Sequence, residues 1–269
     1  MNFRSLRPHY LLKIDTGAIC CGNSSFDVSV PASVRRELEE TNFVVVRRGL
    51  ITESWVPIGI RGRERSQRWA AWYPGYAIQE IVKPMDLLTK VSAVNDQPPV
   101  RRALQTLMKA WKWLTYPWGP AGSLGFEVAT GKQTTTMQSD LDVVIYADDP
   151  ISRRDAQRLL ASADDLEVRL DIRIETPTCG FSLTEYATSP TKTILLRTCS
   201  GPILGNDPWG RCSTSSPKAP STSESRDRLP TASITPTLHF STTPSLRGTG
   251  AEDEDDEENE ALGETRPTP

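Results

Sequence analysis

Ser139-Asp140-Leu141-Asp142-Val143-Val144-Ile145-Tyr146 is the stretch on which the fold turns. Leu141 to Tyr146 is a short, mostly apolar run rich in β-branched residues, and it reads as a buried strand. Asp140 and Asp142 stand at i and i+2, on that strand or just before it. A strand's period of two puts both carboxylates on one face. Two carboxylates held that close repel each other unless a cation neutralises them. Magnesium, which takes oxygen ligands, is the natural partner.

Upstream, Trp118-Gly119-Pro120-Ala121-Gly122-Ser123 reads as a turn. Gly122 allows close backbone approach to a phosphate chain, and Ser123 adds a hydroxyl donor. Before it, Val100, Ala103, Leu104, Leu107, Met108, Trp111 and Leu114 recur at spacings of three and four, an amphipathic helix between Pro98-Pro99 and Pro117. Downstream, 155–163 reads as helix and 167–175 as a strand. Val168, Leu170, Ile172 and Ile174 alternate there with Arg169, Asp171 and Arg173. Residues 193–197 read as a last strand. This order predicts an α/β (α+β) domain with a mixed sheet over 95–209.

Residues 1–94 read as a small strand-rich domain. Strands are expected at 43–48 and 55–60, the second at a sheet edge because of Pro57. A short helix is expected from Lys83. Arg61, Arg63, Arg65 and Arg68 form a loop that is either a solvated face or an anion site. Asn95-Asp96-Gln97-Pro98-Pro99 is the expected linker.

From 210 to 269 Ser, Thr and Pro dominate, followed by the acidic run 252–258. Such a segment buries too little apolar surface to offset its ordering entropy, so a disordered tail is expected. Its abrupt composition fits a natural extension or a shifted reading frame. The tail carries 6 basic and 11 acidic residues, leaving 25 and 23 in the remainder. That near-neutral body argues against binding long nucleic acid. No apolar stretch is long enough to span a membrane. The N-terminus lacks a signal-peptide pattern, and the five cysteines form no C-x-x-C pair. A reduced, cytoplasmic protein is expected. With two histidines, His9 and His239, metal chemistry must rest on carboxylates.

Asp171 lies on the polar face of its strand. If that strand neighbours the first, Asp171 joins Asp140 and Asp142 in a three-carboxylate metal site, as a ligand or as a general base. The chemistry expected of such a site is in-line attack at an α-phosphorus with pyrophosphate leaving. Catalysis there is mostly positioning and charge neutralisation. Each piece alone is common. A lone Gly-Ser is usually a turn, and Trp111 and Trp113 are ordinary packing residues.

In their combination the segments resemble the phosphoribosyl-dephospho-CoA transferase of malonate decarboxylase. They are Arg7-Pro8-His9, Val56-Pro57-Ile58-Gly59-Ile60-Arg61-Gly62 with Gln67-Arg68, Trp118 to Gly125 with Thr130-Gly131, and Ser139-Asp140-Leu141-Asp142. Leu170-Asp171, Thr184-Glu185-Tyr186-Ala187, Leu195-Leu196-Arg197-Thr198 and Gly201-Pro202 complete the set. The resemblance covers about residues 7–209. It implies a nucleotidyltransferase-type fold with metal aspartates at Asp140 and Asp142, and at Asp171 by a looser match. It implies transfer of the 2'-(5-triphosphoribosyl)-3'-dephospho-CoA prosthetic group to a serine of an apo acyl carrier protein, with a phosphodiester formed and pyrophosphate released. Gly122 and Ser123 are expected to bind substrate, and Arg61, Arg68 and Arg197 the triphosphate, on charge and position. Rival expectations are nucleotidyl transfer to another acceptor and a non-catalytic carrier-protein binder. The long stretch from Ser123 to Asp140 departs from compact nucleotidyltransferases.

Overall fold

The computed structural model describes residues 3–21, 24–25, 31–62, 68–91 and 98–210. Arg63, Arg65, the linker residues Asn95-Asp96-Gln97 and the tail beyond 210, with His239 and Cys212, lie outside the described residues.

The N-terminal part builds one seven-stranded sheet. In chain order its elements are β1 (Leu11–Ile14), β2 (Cys20–Cys21), β3 (Ser24–Ser25), helix α1 (Ala32–Glu40), β4 (Phe43–Val46), β5 (Trp55–Arg61), β6 (Arg68–Pro74) and β7 (Ile78–Val82). The strand order is β3-β2-β6-β5-β4-β1-β7. β5 is thus an interior strand, contrary to the edge position expected from Pro57. Pro57 is tolerated because pairing with β4 reaches only Ile58, opposite Val46. Beyond that point the Pro57 carbonyl accepts the Arg47 N–H at 2.9 Å, so the missing donor is not needed.

The short helix α2 (Pro84–Leu87) and helix α3 (Pro99–Ala110) lead to a second, six-stranded sheet. Its elements are β8 (Trp118–Pro120), α4 (Gly122–Thr130), β9 (Leu141–Tyr146), α5 (Arg153–Ala161), β10 (Leu170–Glu175), β11 (Cys179–Ser182), α6 (Leu183–Thr188), β12 (Ile194–Thr198) and β13 (Gly201–Gly205). The order is β13-β12-β11-β10-β9-β8, with only β9 and β10 parallel. The mixed α/β class expected from sequence is therefore the one observed.

Three local expectations change. Trp118 to Ser123 is not a turn but a strand and a helix start separated by Ala121 alone, whose N–H donates to the Asp142 carbonyl at 2.9 Å. The alternating strand begins at Leu170 rather than 167. The strand at 194–198 is followed by another, because Gly201, at φ 120°, reverses the chain. β11, α6 and β13 carried no strong periodicity.

The two faces of the second sheet differ. Val143, Ile145, Ile172, Ile174, Phe181 and Leu196 pack against α3, α5 and α6. Val144 and Tyr146 face the other way and join the core of the first sheet. On that same side lies Glu175, 3% exposed. Its carboxylate meets His9 Nε2 at 3.2 Å and is paired with Arg48. Arg7 donates to the Glu175 carbonyl at 2.8 Å and to Asp148 at 2.7 Å. The Tyr146 hydroxyl donates to the Pro8 carbonyl at 2.8 Å. Gly180, the register partner of Glu175, has no room for a Cβ, which would overlap the Arg48 guanidinium.

Burial raises the Glu175 pKa, but the His9 hydrogen bond and the charges of His9 and Arg48 outweigh it and hold the carboxyl below its ordinary value of 4.5. A lowered carboxyl pKa stabilises the fold above the ordinary value, and that contribution disappears as pH falls through the folded value. Urea unfolding should therefore find Glu175→Ala destabilised by about 3 kcal/mol at pH 7. Glu175→Gln should flatten the loss of stability below pH 4.5; an unchanged acid limb would assign that loss to other carboxylates.

Candidate active site

The site is assembled where β8 hands over to α4. Gly122 opens the helix at φ 55°, a left-handed conformation that glycine tolerates without strain. Space also requires it, since a Cβ on Gly122 would overlap Asp142 Oδ2. The Asp142 carboxylate is thus held against the first turn of α4. Ser123 follows in that turn, and its hydroxyl receives the Arg61 guanidinium of β5, Nη2 to Oγ at 2.6 Å. A helix N-terminus, a serine and an arginine converge beside a carboxylate.

Asp142 and Asp171 are direct register partners on the parallel pair β9 and β10. Paired residues on adjacent strands share a face, about 4.8 Å apart. The expectation that Asp171's strand neighbours Asp142's is met. Arg173, two residues on, donates through Nη2 at 2.8 Å and Nε at 3.2 Å, both to Asp171 Oδ2. Asp140 precedes β9 and is partly exposed. Among the described residues, no group of three or more His, Cys, Asp or Glu side chains is gathered closely enough to hold a metal ion. Two carboxylates still suit magnesium, which is commonly held by one or two of them together with substrate phosphates rather than by an all-protein cage.

The other predicted residues divide. Arg61, Arg68 and Gly122 line one cavity of about 360 Å³ between the first sheet and α4. Arg61 and Arg68 are directly opposed on β5 and β6. Like charges so placed repel, and an anion relieves them. Arg197 is not part of that cavity. It lies on β12, where burial first and then the charge of Arg173 lower its pKa, with Asp171 acting the other way. Its charged neighbours are Arg173, Asp171, Arg48 and Glu185.

Sequence reasoning missed Glu127. It sits inside α4, 7% exposed. Arg101 donates to its Oε1 at 2.7 Å. The N–H groups of Thr134 and Thr135 donate to Oε2 at 2.9 and 2.7 Å, and the Thr135 hydroxyl donates at 2.7 Å. Burial opposes its charge, but the bonds from Thr135 and Arg101 win and lower its pKa. The Thr134 hydroxyl donates to the Ser123 carbonyl at 2.8 Å. The long connection from Ser123 to Asp140 is therefore tied back onto α4. A charged residue on the buried side of a helix was the available signal. Glu175, also missed, fell on the polar side of an alternating strand, where nothing marked it as buried.

The family models that match are the phosphoribosyl-dephospho-CoA transferase MdcG N-terminal domain over residues 7–84 and the MdcG C-terminal domain over residues 87–208. The chain belongs to this transferase family. A phosphoribosyl-dephospho-CoA transferase of Pseudomonas aeruginosa is 36% identical over 181 residues, 67% of this chain and 86% of that relative. One from Azotobacter vinelandii is 35% identical over 187 residues, 68% and 87% of the two chains. One from Klebsiella pneumoniae is 34% identical over 172 residues, 62% and 82%. No solved structure gives a significant match. The protein is accordingly a transferase enzyme. No helix among the described residues is long and apolar enough to cross a membrane.

Gly122→Ala should displace Asp142 and strain the helix start. About 1–3 kcal/mol of stability should be lost in urea unfolding, together with nearly all transferase turnover. Wild-type turnover in a folded Gly122→Ala protein would show that the Asp142 contact is dispensable.

Proposed function

We propose that the protein transfers the 2'-(5-triphosphoribosyl)-3'-dephospho-CoA prosthetic group to a serine of the apo acyl carrier protein of malonate decarboxylase. The observation that carries this reading is the Arg61–Ser123 contact at the α4 N-terminus, beside Asp142 and at the edge of a cavity. Family membership supports the dephospho-CoA-derived substrate.

In this reaction the carrier serine oxygen bonds to the α-phosphorus, the bond to the pyrophosphate oxygen breaks, and the serine proton is released. Gly122, Ser123 and Arg61 grip the phosphates, with Arg68 opposite Arg61 adding positive charge. Asp140 and Asp142 are the residues that would hold magnesium. The metal, when bound, supplies charge neutralisation on the phosphates. Asp171 is the acceptor of the serine proton, and Arg173 orients it. Arg197 adds positive charge on the Asp171 side. The helix dipole of α4 acts with the arginines at the attacked phosphate. The free thiols Cys179 and Cys199 fit a reducing cytoplasm.

The test is labelling of the apo carrier protein with magnesium and the triphosphoribosyl precursor, read as mass gain and pyrophosphate release. Asp142→Asn should lower turnover about 100-fold or more while thermal unfolding stays near wild type. A wild-type protein that labels no carrier would sink the reaction, and full activity in Asp142→Asn would sink the metal assignment.

A further inference from the structure

The cavity holds a further charge that the phosphate-transfer chemistry does not use. Arg47, the residue after β4, lays its stem over Gly59 of β5. A Cβ on Gly59 would stand 3.2 and 3.1 Å from its Cγ and Cδ. Glycine at this point lets the arginine lie flat on the sheet. Arg47 lines the cavity, and among the described residues its guanidinium has no hydrogen-bond or ion-pair partner. Burial alone pulls its pKa below the ordinary arginine range, with no neighbouring charge contributing. Arg47 is nonetheless solvent-exposed, with its stem packed on the sheet, which leaves its cation open to an anionic ligand in the cavity.

The spacing adds a second constraint. Gly59 and Arg61 are two residues apart on β5, so they share a face and lie about 7 Å apart. One cavity thus has a cationic end at Arg61 and Arg68 and a second cation at Arg47. Leu11, Val45, Val82 and Phe126 form an apolar wall beside them. Leu11, Val82 and Phe126 are themselves packed together as one buried cluster. Such a lining fits a ligand that carries anionic groups together with an uncharged portion. The volume, about 360 Å³, is within the range of small-molecule sites.

We propose that this cavity is the dephospho-CoA subsite, with Arg47 as the counter-charge of the diphosphate and the Leu11, Val45, Val82 and Phe126 wall against the pantetheine arm. The assignment rests on the transfer reaction proposed above. In it, the triphosphate lies at Arg61 and Ser123, and the diphosphate is directed away along β5. Arg47 is a specificity-determining residue, remote from the bond that breaks.

The experiment uses dephospho-CoA itself, which lacks the triphosphate, titrated into the full chain by calorimetry. Wild type should bind it. Arg47→Ala should weaken binding by about tenfold or more, Arg47→Lys should recover part of the loss, and inorganic triphosphate should bind Arg47→Ala as it binds wild type. Val45→Phe, which crowds the apolar wall, should weaken dephospho-CoA more than adenosine diphosphate. If Val45→Phe does not fold, the Arg47 variants decide alone. Dephospho-CoA binding to Arg47→Ala within about twofold of wild type overturns the subsite, as does a wild-type protein that labels the carrier yet does not bind dephospho-CoA. Arg47-dependent binding without any carrier labelling would uphold the subsite and overturn the transfer reaction. Neither binding nor labelling would overturn both.

Discussion

The Glu175 carboxylate, clasped by His9 and Arg48 from the first sheet, is the interaction on which the arrangement of the site depends. It joins the end of β10 to residues flanking β1 and β4. Such buried pairs add little net stability, because desolvation offsets their attraction, but losing one partner leaves a stranded charge. Their value is directional. Here the clasp, with the Tyr146–Pro8 hydrogen bond and the Tyr10–Tyr146 edge contact at 5.5 Å, sets one sheet over the polar face of the other. Arg61 reaches Ser123 only in that arrangement, and the cavity exists only between the two.

Close approach governs the rest of the site. Gly122 admits the Asp142 carboxylate, Gly180 admits Arg48, and Gly119 lets β8 run against the Pro84 carbonyl at the start of α2. Each glycine replaces side-chain volume with a polar contact or a backbone crossing. Glu127 works in the opposite sense. It spends a buried charge to satisfy two backbone N–H groups of the 134–135 segment, which would otherwise lack partners inside the protein. The long connection before Asp140 is thereby ordered without secondary structure of its own.

The charges of the site are distributed unevenly. Asp171 is balanced by Arg173 on its own strand, and Glu127 by Arg101. Arg47 has no such counter-charge among the described residues. The cavity beside α4 is lined by Arg47, Arg61 and Arg68 and, among the described residues, by no acidic one.

By itself the sequence determined the elements with strong periodicity. Leu141–Tyr146 and the alternating end of β10 were legible because local apolar patterns dictate which face is buried. The pairing of Asp142 with Asp171 followed once those strands were neighbours. Ser123 and Arg61 were legible as residue types, but their 62-residue separation hid the contact. The tertiary structure alone decided that β5 is interior, that Trp118–Pro120 is a strand, and that Glu175 and Glu127 are buried acids. It alone brought Arg47 to the cavity and left Arg197 outside it. The physical reason is common to all of these. Burial of a charge and the position of an edge depend on what packs against them from distant parts of the chain, and local pattern carries no record of that partner.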